Sequence, residues 1–366
     1  MKSKSKKTSP KYRVRWHVSP TFYLELCGSL VSGLAAMRAR GETDLILNVP
    51  RPPMNHEHFM LFDVEDLRTG RARRVALDLF DKSDLFCRRT LEDVDVYFKR
   101  NYWSPAIADL PHALRRKMRS SGLTFGCYLA GTRPFMLKIA LAGLMARFRA
   151  RDTYPLRRSF ATCLSQMEYV RSWLANEDWQ WAETDQVQAR VVFQTRVWRS
   201  VRGDSPGDIR VNEERMEVVR ALRRAFDFPD TIGLLDSMMA REIGPELLLS
   251  RKVPRSEYAT QLRTSLVAVN SHGVHGSAGF KVAESLAAGC AIVSRPMLIE
   301  LPVPLEPDVH YLTYDSAEEC VDKCRYLLDN PKASNGMRER NRQYYRENVH
   351  PLSAARNFLR SVFSDN

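Results

Sequence analysis

Apolar residues in this chain follow two rhythms: short continuous runs bounded by Gly, Pro, Asp or Asn, and longer segments in which they recur every three or four positions. The first rhythm reads as strand and the second as helix, because strand side chains alternate between faces while helix side chains return to one face after about 3.6 residues. Strands are predicted at Tyr12–Val18, Asp44–Val49, Phe59–Phe62, Val75–Phe80 and Val94–Phe98, with a helix from Thr21 to Arg40 ending near Gly41 and a Pro-rich loop over Arg51–His56. Such alternation predicts a parallel or mixed α/β sheet. Residues 104–185 change character, being mostly helical in pattern and rich in Arg, Trp and Met.

A second α/β pattern opens with a strand over Ala189–Arg196 and a loop holding Gly203, Pro206 and Gly207. Asn212–Phe226 follows as a helix with Met216, Val219, Leu222 and Phe226 on its apolar side, then a short strand at Leu247–Leu249, a helix at Tyr258–Leu262 and a strand at Leu266–Asn270. Tyr311–Tyr314 is one more strand. The helix after it begins at Ser316, where Ser-x-x-Glu319 has the spacing of a capping box and Val321, Cys324 and Leu328 form the buried face. At 366 residues the chain is long enough for two domains with a cleft between them. The pattern divides it into a basic arm over 1–15, an N-terminal α/β domain with a helical insertion over 16–185, and a C-terminal domain over 186–366 whose last helix, near Leu352–Phe363, can pack back across the cleft.

Composition narrows the function classes. With 44% hydrophobic and 27% charged residues the chain can bury sizeable cores, so disorder is not the expectation. The net charge is +13, and the first fifteen residues carry Lys2, Lys4, Lys6, Lys7, Lys11, Arg13 and Arg15 with no acid, a balance that draws polyanions. The seven cysteines are scattered without Cys-x-x-Cys pairs, which argues against a zinc or redox site and for a reducing, cytoplasmic setting. Neither a secretory leader nor a run of about 18 apolar residues is visible. Phe135–Arg151 is apolar in its middle and basic at its end. It reads either as a core helix with a solvated terminus or as an interfacial helix lying on anionic lipid at the membrane periphery.

The chemistry concentrates between Val269 and Val293. Strand, loop, helix and strand follow one another there as a βαβ unit, and ligands of such sheets sit beyond the carboxyl ends of the strands. The loop His272-Gly-Val-His275-Gly276-Ser277-Ala-Gly279 brings small residues to that end, and the next helix offers its N-terminal amides to a phosphate. Lys281 falls in the first helical turn, where a cation is unfavourable unless an anion is bound. Glu284 lies on the same helical face, placed to accept hydrogen bonds from ribose hydroxyls. An exposed Lys281 and Glu284 pair with no ligand is the plain alternative.

Phe193-Gln-Thr-Arg196, Gly279, Glu284 and Leu286-Ala-Ala-Gly289-Cys-Ala-Ile-Val293 together resemble, in order and spacing, the C-terminal domain of GT-B glycosyltransferases of the "glycosyl transferases group 1" family and its spore-coat and exostosin-like relatives. The resemblance covers roughly residues 186–360. It implies a GT-B-like fold of two Rossmann-like domains facing a cleft, and transfer of a sugar from a nucleotide-diphosphate donor without metal or further cofactor. The acceptor it implies is a polysaccharide, glycolipid or glycoprotein. It also implies that Arg196 and Lys281 hold the diphosphate, with Ser277 and Gly279 in the phosphate loop, and that Glu284 holds the ribose. One departure stands out: Gly276 occupies the position of the family's first glutamate. A catalytically idle module that binds a glycan, lipid or nucleic acid is therefore the second reading.

Other signals compete. Asp93-Val-Asp95 has the Asp-x-Asp form that holds Mn or Mg in metal-dependent glycosyltransferases, and also reads as a turn between helix and strand. Asp78, Asp81 and Asp84 flank a strand; Asp81 could take the acceptor proton, or these acids could cap the following helix. His56, His58, His272 and His275 are further base candidates, with His275 in the loop beside the expected phosphates. Lys99, Arg100, Tyr97, Tyr102 and Trp103 form a basic, aromatic cluster, but no RNA-binding motif accompanies it and nucleic acid is not the expected partner.

Overall fold

The structure is a computed structural model that describes residues 9–20, 24–50, 59–150, 155–198 and 206–364. Most of the basic arm, the loop at 51–56, His56, His58 and Gly203 lie outside the described residues. Two compact units divide the chain: residues 1–176 with 347–366, and residues 177–346.

The first unit carries a six-stranded sheet of β1 (Tyr12–His17), β2 (Thr43–Asn48), β3 (Phe59–Asp66), β4 (Ala72–Asp78), β5 (Val96–Lys99) and β6 (Met118–Ser120), in the order β2-β1-β3-β4-β5-β6. It is mixed, as the pattern predicts, because β3 runs antiparallel to both neighbours while the other pairs are parallel. Strand β1 shows the period of two directly. Val14 and Trp16 are buried between Leu45 and Leu47 on one side and Val64 and Phe62 on the other, while Arg13 faces water and spans the strands to Asp44 and Glu65.

Helices α1 (Gly28–Ala39), α2 (Arg88–Asp93), α3 (His112–Arg115), α4 (Arg133–Arg149) and α5 (Leu156–Ser172) complete most of this unit, with a two-stranded ladder of β7 (Cys127–Tyr128) and β8 (Leu174–Ala175). Within the described residues α1 begins at Gly28 rather than near Thr21, after a 3-10 turn over Leu24–Leu26. The acids after β4 do not cap α2: its N-cap is Cys87, which makes no side-chain cap bond. Asp78 is instead buried, accepting from Lys99 Nζ at 3.1 Å, Tyr97 Oη at 2.7 Å and the Phe80 amide at 2.8 Å.

The second unit is wholly parallel, with β9 (Gln188–Thr195), β10 (Ile232–Leu234), β11 (Ser265–Asn270), β12 (Ala291–Ser294) and β13 (Leu312–Thr313) in the order β10-β9-β11-β12-β13. The helices are α6 (Asn176–Trp179), α7 (Pro206–Ala225), α8 (Met238–Ile243), α9 (Arg255–Arg263), α10 (Phe280–Ala287), α11 (Ala317–Asp329) and α12 (Pro331–Tyr344). Alternate strand residues Val191, Phe193, Val267, Val269, Ala291 and Val293 pack with Val219 and Leu222 of α7 and Cys320, Cys324 and Leu327 of α11. The intervening strand positions leave the other face to α9, α10 and α12. Both faces are thus covered, which is why these strands are continuous apolar runs.

Two expectations need correction here. Leu247–Leu249 is no strand: Pro245–Leu247 is a 3-10 turn, and Leu248 makes only an isolated bridge to Leu234. Pro206 and Gly207, expected in a loop, open α7. The Ser316 cap is present, its hydroxyl accepting from the Glu319 amide at 3.1 Å.

The last helix, α13 (Pro351–Phe363), belongs to the first unit, as a helix packing back would, although the bounds 186–366 place its residues in the C-terminal half. Leu352, Ala355, Phe358, Leu359 and Val362 join the core built on β1, β3, β4 and α1. Close approach to α1 requires glycine at 33, where an added Cβ would sit 2.0 Å from the Pro351 carbonyl oxygen.

Candidate nucleotide-binding site

Arg196, the loop 271–279 and the start of α10 lie at the carboxyl end of the parallel sheet, because in βαβ units the loops after the strands gather there. Arg196 directly follows β9, the loop 271–279 follows β11, and Arg295 follows β12. Gly279 caps α10, so Lys281 occupies its first turn as the pattern predicts.

Lys281 and Glu284 are not a solvated pair. Glu284 is only 6% exposed, and its carboxylate stands 3.6 Å from the Arg255 guanidinium of α9. Lys281 Nζ donates to Tyr258 Oη at 3.1 Å and lies 4.5 Å from the centre of that ring. Arg255 stacks 5.3 Å from the Trp179 ring, which meets Tyr258 edge-on at 6.0 Å. Burial pushes the Lys281 ammonium down to about 8; Glu284 opposes that shift, while the charges of Arg196, Arg215 and Arg255 add to it. One ammonium thus feels three guanidinium groups and one carboxylate. The like charges add to the cost of desolvation, and an anion among them would offset it.

The sheet end holds a residue that sequence reasoning missed. Arg215, on the inner side of α7 and 6% exposed, donates to the Arg196 carbonyl at 2.6 Å, the His272 carbonyl at 2.6 Å and the Ser271 hydroxyl at 3.1 Å. It thereby ties the ends of β9 and β11 together. Desolvation lowers its guanidinium to about 10. In the sequence it looked like one of several Arg on the polar side of an amphipathic helix, and only the fold shows that it points inward.

Ser277 is a loop-shaping residue here: its hydroxyl donates to the Val274 carbonyl at 2.8 Å, and its own carbonyl accepts from the Gly273 amide at 2.9 Å. His275 and Gly276 form the tip, with φ of 58° and 70°. The left-handed conformation at 276 favours glycine and disfavours the glutamate that the resembling family places there. His275 is exposed, and His272 Nε2 is bonded to the Pro296 carbonyl at 2.9 Å. A small recess between this loop and Arg295–Ile299 is lined by Ser277, Gly279 and Val282 but not by Lys281 or Glu284. Arg196 is exposed beside Trp198, its guanidinium 5.9 Å from the indole.

In the first unit, Asp81 is exposed and ion-paired with Arg100. Asp95 accepts from the Arg74 amide at 2.7 Å and faces Arg73, which gives it a structural task at the edge of β4 and β5. Among the described residues no three His, Cys, Asp or Glu side chains gather as a metal site would require.

Comparison with known proteins bears on this same half. Residues 218–360 match a family model described as "Glycosyl transferase-like". The likeness covers this segment, less than half of the chain. The matched glycosyl transferase-like segment includes α10 with Lys281 and Glu284, and it runs from α7 into α13. No curated protein matches the chain in sequence. Among solved structures, the C-terminal domain of the group 1 glycosyl transferase LpcC from Francisella tularensis aligns at 13% identity over 50% of this chain and 96% of its own, with a TM-score of 0.30. A glycosyltransferase from Rickettsia africae aligns at 9% identity over 77% of this chain and 69% of its own, with a TM-score of 0.38. Anabaena HepE, in a complex with UDP, aligns at 9% identity over 95% of this chain and 98% of its own, with a TM-score of 0.36.

The lowered Lys281 value carries a prediction for any phosphate ligand. The ammonium is charged below about pH 8, so diphosphate affinity is expected to hold up to that value and to fall as pH rises through it. A bound dianion restores the charge, so UDP binding one pH unit above that value is expected to take up a proton. Titration calorimetry in buffers of different ionisation enthalpy measures this uptake, and a heat independent of buffer would show that Lys281 does not meet the phosphates. In the free protein the sign is opposite. Burying the charged ammonium costs stability in full below about 8, and that cost is relieved as pH rises from there toward the ordinary lysine range.

Proposed function

We propose that the protein is a glycosyltransferase that binds a nucleotide-diphosphate sugar at the carboxyl end of its second sheet and moves the sugar to a polysaccharide, glycolipid or glycoprotein acceptor. The observation that carries this reading is the Lys281 ammonium in the first turn of α10, set among Arg196, Arg215 and Arg255 with Glu284 buried beside it, within the glycosyl transferase-like segment.

The residue types suit the reaction. Breaking the bond between the sugar and the diphosphate leaves negative charge on the departing phosphate, and fixed cations stabilise that charge without a metal or other cofactor. Arg196 supplies a planar fork for paired phosphate oxygens, Lys281 a point charge, and the α10 amides beyond Gly279 further donors. Glu284 accepts from the ribose hydroxyls, and Arg255 holds its carboxylate in place. For the acceptor proton the proposed bases are His275, in the exposed tip of the phosphate loop, and Asp81 in the first unit. That UDP-bound HepE is among the structural likenesses supports UDP as the first nucleotide to try.

A panel of UDP-, GDP- and ADP-sugars, scored for release of the nucleoside diphosphate and for thermal shift, tests the proposal. One nucleotide should both stabilise the protein and be released from its sugar; stabilisation by none of them would overturn the reading. The left-handed Gly276, standing where the resembling family has its first glutamate, favours the second reading, a catalytically idle module that binds a glycan, lipid or nucleic acid. That reading predicts neither thermal shift nor turnover with any of these nucleotide sugars.

A further inference from the structure

We propose that the paired helices α4 and α5 of the first unit dock on the surface of an anionic bilayer. The sequence left Phe135–Arg151 open between a core helix and an interfacial one, and the structure gives each reading part of the helix. Met136, Ile139, Ala140 and Ala146 are buried, while a second stripe faces outward. That stripe is apolar: Leu141 is 49%, Met145 52% and Phe148 39% exposed. Helix α5 continues it with Leu156 at 53%, Phe160 at 50% and Leu164 at 64%.

The two stripes form one patch. The rings of Phe148 and Phe160 meet edge-on at 5.4 Å, joining the outward faces of the two helices. An exposed apolar surface of this kind on a soluble fold marks a docking site, since isolated surface leucines are common but clustered ones are not. Its rim chooses the occupant. Lys138, Arg157, Arg158 and Arg171 are exposed on the two helices against a single exposed acid, Glu168, while the half-buried Arg149 is engaged by the Val49 carbonyl. Apolar side chains entering the acyl boundary, with long cationic side chains reaching to headgroup phosphates around them, is the arrangement by which a helix lies in a membrane interface. Each basic residue near such a surface contributes about 1 kcal/mol of attraction. Among the described residues no helix is long and apolar enough to cross a membrane, so the contact proposed is peripheral.

Co-sedimentation of the full chain with vesicles tests this. Binding is expected to vesicles of phosphatidylcholine containing phosphatidylglycerol and to be at least about tenfold weaker with phosphatidylcholine alone. The exposed-site variant Phe160→Ser/Leu164→Ser should lose binding about tenfold while keeping its melting temperature and nucleotide-induced thermal shift, and Arg157→Glu/Arg158→Glu should do the same. Undiminished binding by both variants would assign lipid contact to the basic arm and overturn the proposal. Absence of binding to either vesicle would overturn it too. So would sedimentation equilibrium showing a dimer that Phe160→Ser/Leu164→Ser dissolves, which would make the patch an interface between copies. The melting and nucleotide readouts separate its failure from failure of the transferase reading.

Discussion

Lys281→Ala is expected to weaken UDP binding by roughly 10- to 100-fold, the loss that follows from removing one charge-assisted hydrogen bond of about 1.5 to 3 kcal/mol. The variant should fold. Burial of this ammonium costs the free protein stability, and the charges of Arg196, Arg215 and Arg255 add to that cost, so its removal is expected to leave the ligand-free melting temperature unchanged or higher. The combination is diagnostic: a residue held in place for a ligand loses affinity without losing stability, whereas a residue needed for packing loses both. Lys281→Arg should retain part of the affinity, since the charge remains while its position shifts. Titration calorimetry and thermal melting of the three proteins read the outcome. Equal UDP affinity in wild type and Lys281→Ala would remove the residue from the site.

Asp78→Leu is expected to cost the first unit about 3 to 5 kcal/mol of stability. Asp78 and Lys99 are both 0% exposed, and the carboxylate accepts three hydrogen bonds, from Lys99, Tyr97 and the Phe80 amide. Burial raises the Asp78 carboxyl and lowers the Lys99 ammonium from their usual ranges, so each depends on the other to stay charged. Removing the acid strands a buried ammonium that keeps, among the described residues, a hydrogen bond to the Leu85 carbonyl at 2.8 Å. The double variant Asp78→Leu/Lys99→Met should recover much of the loss, because a buried ion pair replaced by well-packed apolar groups is often close to neutral. Urea unfolding of the single and double variants measures the difference. A single variant within about 1 kcal/mol of wild type would show that the pair contributes little.

The contrast between these two sites explains how much of the molecule was legible in the sequence. The βαβ unit around Lys281 was readable because its signals are local: an apolar run, small residues in a loop, a helix of fixed period and a glycine stop all lie within about thirty residues. The Asp78 cluster was not. Its members come from β4 and β5, and only the parallel register that sets Leu77 against Phe98 and Asp78 against Lys99 brings them together. Arg215 was hidden for a similar reason, since an inward cation on an amphipathic helix looks like its solvated neighbours until the strand ends that it bonds are in place. Leu247–Leu249 misled because a short apolar run satisfies strand and turn alike. The α4 and α5 surface was half legible: the sequence showed apolar and basic residues in one helix, and the outward stripe emerged only when a second helix buried the rest.

The return of α13 to the first unit bears on how the chain acquires its structure. As the polypeptide leaves the ribosome, strands β1 to β6 are available long before Leu352, Phe358 and Leu359, which complete the core against them. The intervening unit has its whole sequence, 177–346, synthesised first. The N-terminal unit must therefore wait, with Val14, Phe62 and Phe98 incompletely covered, until the last residues emerge. For the same reason a fragment ended at residue 176 would keep that apolar surface open and is a candidate for aggregation rather than independent folding.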